Sequence, residues 1–219
     1  LREPQQAEKF RAAARQYGVA VPSMAMSGFF AQSFLTRDNY QDLLKDCFQT
    51  MKLFGSKVAF LPLGGSGKDW QQEGCAAYQQ MVSRLRTAGE MAKQEGITIG
   101  IRTGMGAKFD KKLLKKVGSS QIKVYYNFQD AADHHRDICK ELRKLGAQRI
   151  VQIHVSNTDS VNLQEDPEIN LPKIRKTLDK MKWSGWLVVE RSRDVKRVRD
   201  VKYNFGRNIA YLKQVFQER

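Results

Sequence analysis

Cysteine, histidine and acidic residues are all scarce in this chain, and each scarcity narrows what the protein can do. Cys47, Cys75 and Cys139 are the three cysteines in 219 residues. They lie far apart inside predicted helices with neither paired nor metal-type spacing, so the sequence favours buried free thiols over a disulfide or a metal role. Of the three histidines, His134 and His135 are adjacent at the start of a predicted helix and cannot both face one metal on it. Long apolar runs are also missing. The longest, such as Val58 to Leu63, are strand-sized and fall well short of a membrane span. The expectation is a soluble protein, cytoplasmic or exported, with no membrane partner. No signal peptide is visible, but the chain begins at Leu1 rather than Met, which leaves a removed leader or a longer parent chain open.

Acidic residues number 23 against 38 basic ones, a formal net charge of +15. Much of the excess sits in Lys111, Lys112, Lys115 and Lys116, and in Arg191, Arg193, Lys196, Arg197, Arg199 and Lys202. The first cluster flanks Leu113, Leu114 and Val117, the pattern of a solvated helix face. A basic surface with no dedicated partner fits these residues, and so does an anionic ligand such as a sugar phosphate or nucleic acid.

Two glycine-rich motifs fail on inspection. Gly64-Gly65-Ser66-Gly67-Lys68 would need glycine where Pro62 stands and Ser or Thr where Asp69 stands to be a phosphate loop. Gly104-Met105-Gly106 lacks the third glycine of a dinucleotide fingerprint.

What is present is one phrase written six times: an amphipathic helix, a glycine, then a short apolar strand. The glycines are Gly18, Gly55, Gly96, Gly118, Gly146 and Gly185, each expected to take the left-handed conformation that ends a helix. The helices are expected over Gln5 to Tyr17, Asp38 to Phe54, Cys75 to Glu95, Phe109 to Val117, Asp133 to Leu145, Leu171 to Met181 and Tyr203 to Phe216. The strands are expected over Val19 to Met26, Val58 to Leu63, Ile97 to Arg102, Ile122 to Asn127, Arg149 to Val155 and Trp186 to Arg191. Between Ser156 and Asn170 lies a long polar loop. Alternating strands and helices imply parallel strands with helical crossovers, whose chemistry sits at the carboxyl ends of the strands. Four strands end in polar residues, Arg102, Asn127, His154 and Glu190.

Strand parity sorts the side chains. Ile97, Ile99 and Ile101 oppose Thr98, Gly100 and Arg102, while Val151, Ile153 and Val155 oppose Gln152 and His154. The apolar set packs under helices, and the polar set, with Tyr125 and Asn127, points into a closed or nearly closed sheet. That favours a barrel over an open doubly wound sheet. Six strands are too few for a (β/α)8 barrel, so residues 1–219 are expected to be a single barrel domain lacking its first one or two βα units.

The run Ile150-Val-Gln-Ile-His154-Val-Ser-Asn157 and, after a polar loop and Ile174 to Leu178, the run Trp183-Ser-Gly-Trp-Leu-Val-Val-Glu190 resemble the sugar phosphate isomerase/epimerase family. These are the xylose isomerase-like TIM barrels, which also include endonuclease IV. The resemblance covers nearly the whole chain as strands three to eight. It implies a metal site built from Glu, Asp, His and Glu at four successive strand ends, with the glutamates moving a proton between neighbouring sugar carbons. Carried over by position, those places hold Arg102, Asn127, His154 and Glu190, so two of the four ligands match.

Replacing Glu by Arg and Asp by Asn raises the site's formal charge by about three units and places a permanent cation where the dication would sit. The expectation is that Arg102 stands in for the metal and pairs with Glu190. The resemblance then implies Glu190 and His154 as catalytic residues and Arg102, Asn127, Asp130 and Arg191 as substrate contacts. The cofactor is either none or a divalent metal (Mn2+, Mg2+ or Zn2+) held weakly by His154 and Glu190.

Three functions follow: a sugar or sugar-acid isomerase or epimerase, a noncatalytic barrel binding a carbohydrate or anion, and an endonuclease IV-like DNA protein. The last is the weakest, because a zinc-cluster chemistry needs more histidine and acidic ligands than the chain offers. A small carbohydrate or anionic sugar is the expected partner, nucleic acid is disfavoured, and a homodimer is allowed.

Overall fold

A computed structural model describes residues 3–63, 68–156 and 158–218. The glycine-rich loop at 64–67 lies outside the described residues. The chain forms two compact units, the first comprising Leu1–Thr103 with Lys111–Val124 and the second Gly104–Asp110 with Tyr125–Arg219.

The first unit is built from α1 (Pro4–Gln16), β1 (Ser23–Ala25), the short α2 (Gly28–Ala31), α3 (Tyr40–Phe54), β2 (Val58–Pro62), α4 (Ala76–Gln94) and β3 (Thr98–Arg102). To these it adds most of α5 (Ala107–Val117) and the first half of β4 (Ile122–Asn127). The strands pair in parallel, Val58 lying opposite both Ser23 and Thr98, and Ile99 opposite Ile122. Paired on both sides, β2 is buried along its whole length. Helix α3 buries Tyr40, Leu44, Phe48 and Met51, one face at helical spacing, and stops where Gly55 takes φ 68°. Helix α4 buries Tyr78, Met81, Leu85 and Ala88 on one face. It comes so close to Ser119 that a Cβ on Gly89 would lie 2.3 Å from the serine hydroxyl.

The second unit contains the remainder of β4, α6 (Phe128–Ala132), α7 (Ile138–Leu145), β5 (Ile150–Ser156), α8 (Leu171–Lys180), β6 (Trp186–Val189) and α9 (Val201–Phe216). Strands β5 and β6 are parallel, pairing Gln152 with Trp186 and His154 with Val188, and then slip so that Ser156 faces Val189. Helix α7 buries Ile138, Cys139, Leu142 and Leu145 and packs on α8, which contacts α9.

Three expectations need correction. The first strand shrinks from Val19–Met26 to Ser23–Ala25. Its only strand partner among the described residues is β2, Val19 is exposed, and Pro22 supplies no N–H, so little fixes the preceding residues as a ladder.

The helix expected over Asp133–Leu145 starts only at Ile138, and the preceding helix α6 has already ended at Ala132. His135 takes a left-handed φ of 52°, and the Asp137 carboxylate accepts from the Lys140 N–H at 2.9 Å to start α7 afresh. At the sixth repeat the left-handed residue is Lys182, with φ 53°, and not Gly185. Gly185 serves a close approach instead, since a Cβ there would meet the Trp183 ring at 2.6 Å.

Candidate functional site

The polar strand ends of the second unit come from a local rule and a long-range one. Locally, alternation puts Tyr125 and Asn127 on one face of β4, and Gln152, His154 and Ser156 on one face of β5. The structure then brings these faces together, with the Tyr125 and His154 rings 4.5 Å apart between centroids at 54°. All five side chains are buried. On the opposite face of β4, Tyr126 is buried among Glu141, Arg136, Asp110 and Asp130, and burial, with the Glu141 charge second, pushes its phenol well above the ordinary range.

Glu190 follows β6 directly, and its carboxylate Oε2 lies 3.4 Å from His154 Nδ1. The imidazole side chain is 8% exposed and the carboxylate 35%. The strand pair slips in register just after His154, a bulge-like irregularity at the end of the sheet where the two groups meet. A buried imidazole next to a half-open carboxylate is an arrangement suited to holding and moving a proton.

Asn127 ends β4 and caps α6. Its Oδ1 accepts from the Gln129 N–H at 2.8 Å. Gln129 is fixed in turn, its Oε1 accepting from Ser156 Oγ at 3.2 Å and its Nε2 donating to Asp133 at 2.8 Å. Asp130 is half-buried in α6, and its carbonyl accepts from Arg136 Nη2 at 2.7 Å. Gln129 and Ser156 were not singled out by sequence. The detectable signal was an Asn directly before a helix start, which caps well and thereby fixes its own side-chain oxygen.

Arg191 turns to a different task. Asp159 is gripped by Arg193 at 2.6 and 2.7 Å and by Arg191. The N–H groups of Ser192 and Arg193 donate to the Thr158 carbonyl at 2.7 and 3.2 Å, so the polar loop after β5 is fastened to the chain leaving β6. Beneath it Asn162 donates to Ser192 O and Asn204, and Asn208 accepts from the Leu163 N–H, a buried amide network that holds Ser192 at φ 66°. Arg207 pairs with Glu165, and Arg197 lies over the Tyr203 ring at 4.6 Å. Much of the second basic cluster therefore serves the protein's own surface. Arg102 closes β3 in the first unit and is half-buried.

The first unit also holds an apolar cavity of about 900 Å³ between α1, β1 and α3, lined by Phe10, Tyr17, Val21, Met24, Leu43 and Phe54 among others. Cys47 also lines it, and burial pushes its thiol up to about 11. The cavity's mainly apolar walls make it unsuited to proton transfer.

The donor set does not fit a divalent metal of the kind the resemblance implies. Among the described residues no three His, Cys, Asp or Glu side chains group closely enough to hold one. Asn127, standing where a carboxylate would be needed, has its oxygen committed to the helix cap. No helix among the described residues is long and apolar enough to cross a membrane.

A family model described as xylose isomerase-like TIM barrel matches residues 2–215. Among solved structures, the chain is similar to a 3-keto-D-glucoside 4-epimerase from E. coli, with TM-score 0.77 and 12% identity over 96% of this chain and 85% of that one. It is similar to a D-psicose 3-epimerase from Clostridium cellulolyticum H10, with TM-score 0.72 and 12% identity over 99% and 85% of the two chains. An AP endonuclease of family 2 from Brucella melitensis gives TM-score 0.72 and 14% identity over 92% and 85%. No curated protein matches the sequence. At such identities the structural likenesses show the fold, and with the family model they bear out the barrel class that strand parity suggested.

Proposed function

Because this chain belongs to the xylose isomerase-like TIM barrel family, we propose that it is a sugar isomerase or epimerase in which Glu190 moves the proton. The observation that carries this reading is the Glu190 carboxylate 3.4 Å from the buried His154 imidazole. The similar folds of a 3-keto-D-glucoside 4-epimerase and a D-psicose 3-epimerase support the substrate class, a sugar, sugar acid or sugar phosphate. Glu190 takes a proton from the carbon next to a carbonyl, and the freed electron pair passes into a carbon–carbon double bond as the carbonyl oxygen gains charge. Return of the proton to the former carbonyl carbon, with the neighbouring hydroxyl passing its proton to the carbonyl oxygen, isomerises the sugar. Delivery of a solvent proton to the opposite face of the same carbon, with the first proton released from Glu190 to solvent, epimerises it. His154 orients the carboxylate. Asn127 and Asp130 are ligand contacts in this reading, Arg191 being engaged by Asp159, and no step is routed through a bound ion.

The test is uptake of solvent deuterium at carbon, followed by NMR with D-psicose, D-tagatose, D-fructose, uronic acids and sugar phosphates, with and without Mn2+. Exchange in the wild type and its loss in Glu190→Gln is the expected result. Binding without exchange by any sugar identifies a noncatalytic sugar-binding barrel. Exchange that survives in Glu190→Gln removes Glu190 from the mechanism.

A further inference from the structure

The Asn127 side chain has two ends, and the structure assigns them opposite duties. Oδ1 is taken by the Gln129 N–H at 2.8 Å, which fixes the orientation of the amide because only the oxygen can accept that bond. The Nδ2 group therefore faces away from the cap. It carries two N–H donors, Asn127 is 2% exposed, and Nδ2 has no acceptor among the described residues. A buried donor left without a partner in the protein has given up its hydrogen bond to water for nothing, and such a group is retained where something else supplies the acceptor. Asn127 lies on the face of β4 that Tyr125 shares, and Tyr125 stacks near His154.

We propose that the Asn127 Nδ2 group is a binding site for a ligand oxygen, so that this strand end receives an electron-rich atom in place of a cation. N–H groups repel a dication and attract the lone pairs of a carbonyl, hydroxyl or carboxylate. Resting on the proton-transfer reading above, the ligand oxygen is the one that gains charge when the neighbouring carbon loses its proton, and Asn127 stabilises that charge by hydrogen bonding. The bond broken is C–H. Its electron pair forms the carbon–carbon double bond, the carbonyl π pair moves to oxygen, and the proton resides on Glu190.

Two substitutions separate this duty from capping. Asn127→Asp and Asn127→Ser both cap a helix well, so α6 keeps its start, but neither offers the amide N–H pair, and aspartate adds a repelling charge. In 15N-labelled full-length protein, the side-chain N–H signals of Asn127 are identified by their loss in Asn127→Ser. D-fructose, acetate and Mn2+ are then titrated separately. The expected result is that D-fructose or acetate shifts these signals. Both variants weaken that binding by about tenfold or more, a loss of the size of one hydrogen bond, while the melting temperature stays within a few degrees of the wild type.

Acetate acting alone upholds the oxygen site and counts against the sugar reading, whereas D-fructose acting upholds both. The proposal is overturned if neither oxygen ligand moves the signals, if Mn2+ broadens them at micromolar concentration, or if both variants bind as the wild type does.

Discussion

Strands β2 and β5 are buried to similar depth and carry opposite chemistry. Val58, Ala59, Phe60 and Leu61 of β2 are apolar and buried, so the strand contributes stability and nothing reactive. β5 buries Gln152, His154 and Ser156 in the same kind of position. A polar group moved from water into a core is tolerated only with partners, so each such residue needs a reason to be there. Ser156 has its reason in Gln129 and Thr158, and His154 has its own in Tyr125 and Glu190. Similar burial thus divides into a framework strand and a chemical strand.

The sharpest way to break that division is at the strand ends. Glu190→Gln is expected to lower proton exchange by about 10²–10⁴-fold, the usual worth of a general base, with unfolding by urea unchanged because the carboxylate is partly exposed. A large stability loss in that variant would mean that Glu190 is structural.

The next contrast is internal. Leu61→Ala is expected to cost about 2–5 kcal/mol by leaving a cavity in a fully buried strand, and His154→Ala considerably less, while proton exchange should respond in the reverse order. Matching effects of the two variants on both measurements would erase the distinction between the strands.

A smaller effect is expected at Asp137, which restarts α7. Asp137→Ala should lose about 1 kcal/mol in urea unfolding. The Lys140 N–H holds the Asp137 carboxyl below its usual range, with the nearby Lys173 and Lys140 charges adding to this. A depressed carboxyl stabilises the fold above its unfolded value, about 3.9, and that contribution fades as pH falls through the lower folded value. Asp137→Asn should therefore show a shallower acid limb, and an unchanged limb would rule out the cap.

The smallest expected effect concerns Cys47 beside the apolar cavity. With its thiol pushed up to about 11 by burial, it should label slowly with iodoacetamide at pH 8, where the thiolate is scarce. Its contribution to stability is present below the ordinary cysteine value, about 8.5, and is lost as pH rises through the higher folded one. Fast labelling at pH 8 in the folded protein would show that the thiol is not held in that environment.

Much of this architecture was legible in the residues. Apolar spacing gave α3, α4 and α9 nearly to their ends, and parity placed Tyr125, Asn127, Gln152 and His154 on inward faces. The misreadings fell where a local signal competed with a contact farther along the chain. Periodicity ran on through Asp133–Leu145, but His135 holds the chain in a left-handed turn ahead of the helix, which starts only after the Asp137 cap. Gly185 fitted the repeated phrase, yet Lys182 makes the turn while the glycine gives way to Trp183.

The sequence by itself determined the order of helices and strands, the alternation of each strand and the polar residues at their ends, because these depend on backbone geometry within a few residues. Only the tertiary structure decided that Glu190 meets His154, that Asp159 occupies Arg191, and that the amide of Asn127 turns its nitrogen outward from the cap. Those outcomes depend on which distant groups meet and on which lone pairs and protons are already taken when they do.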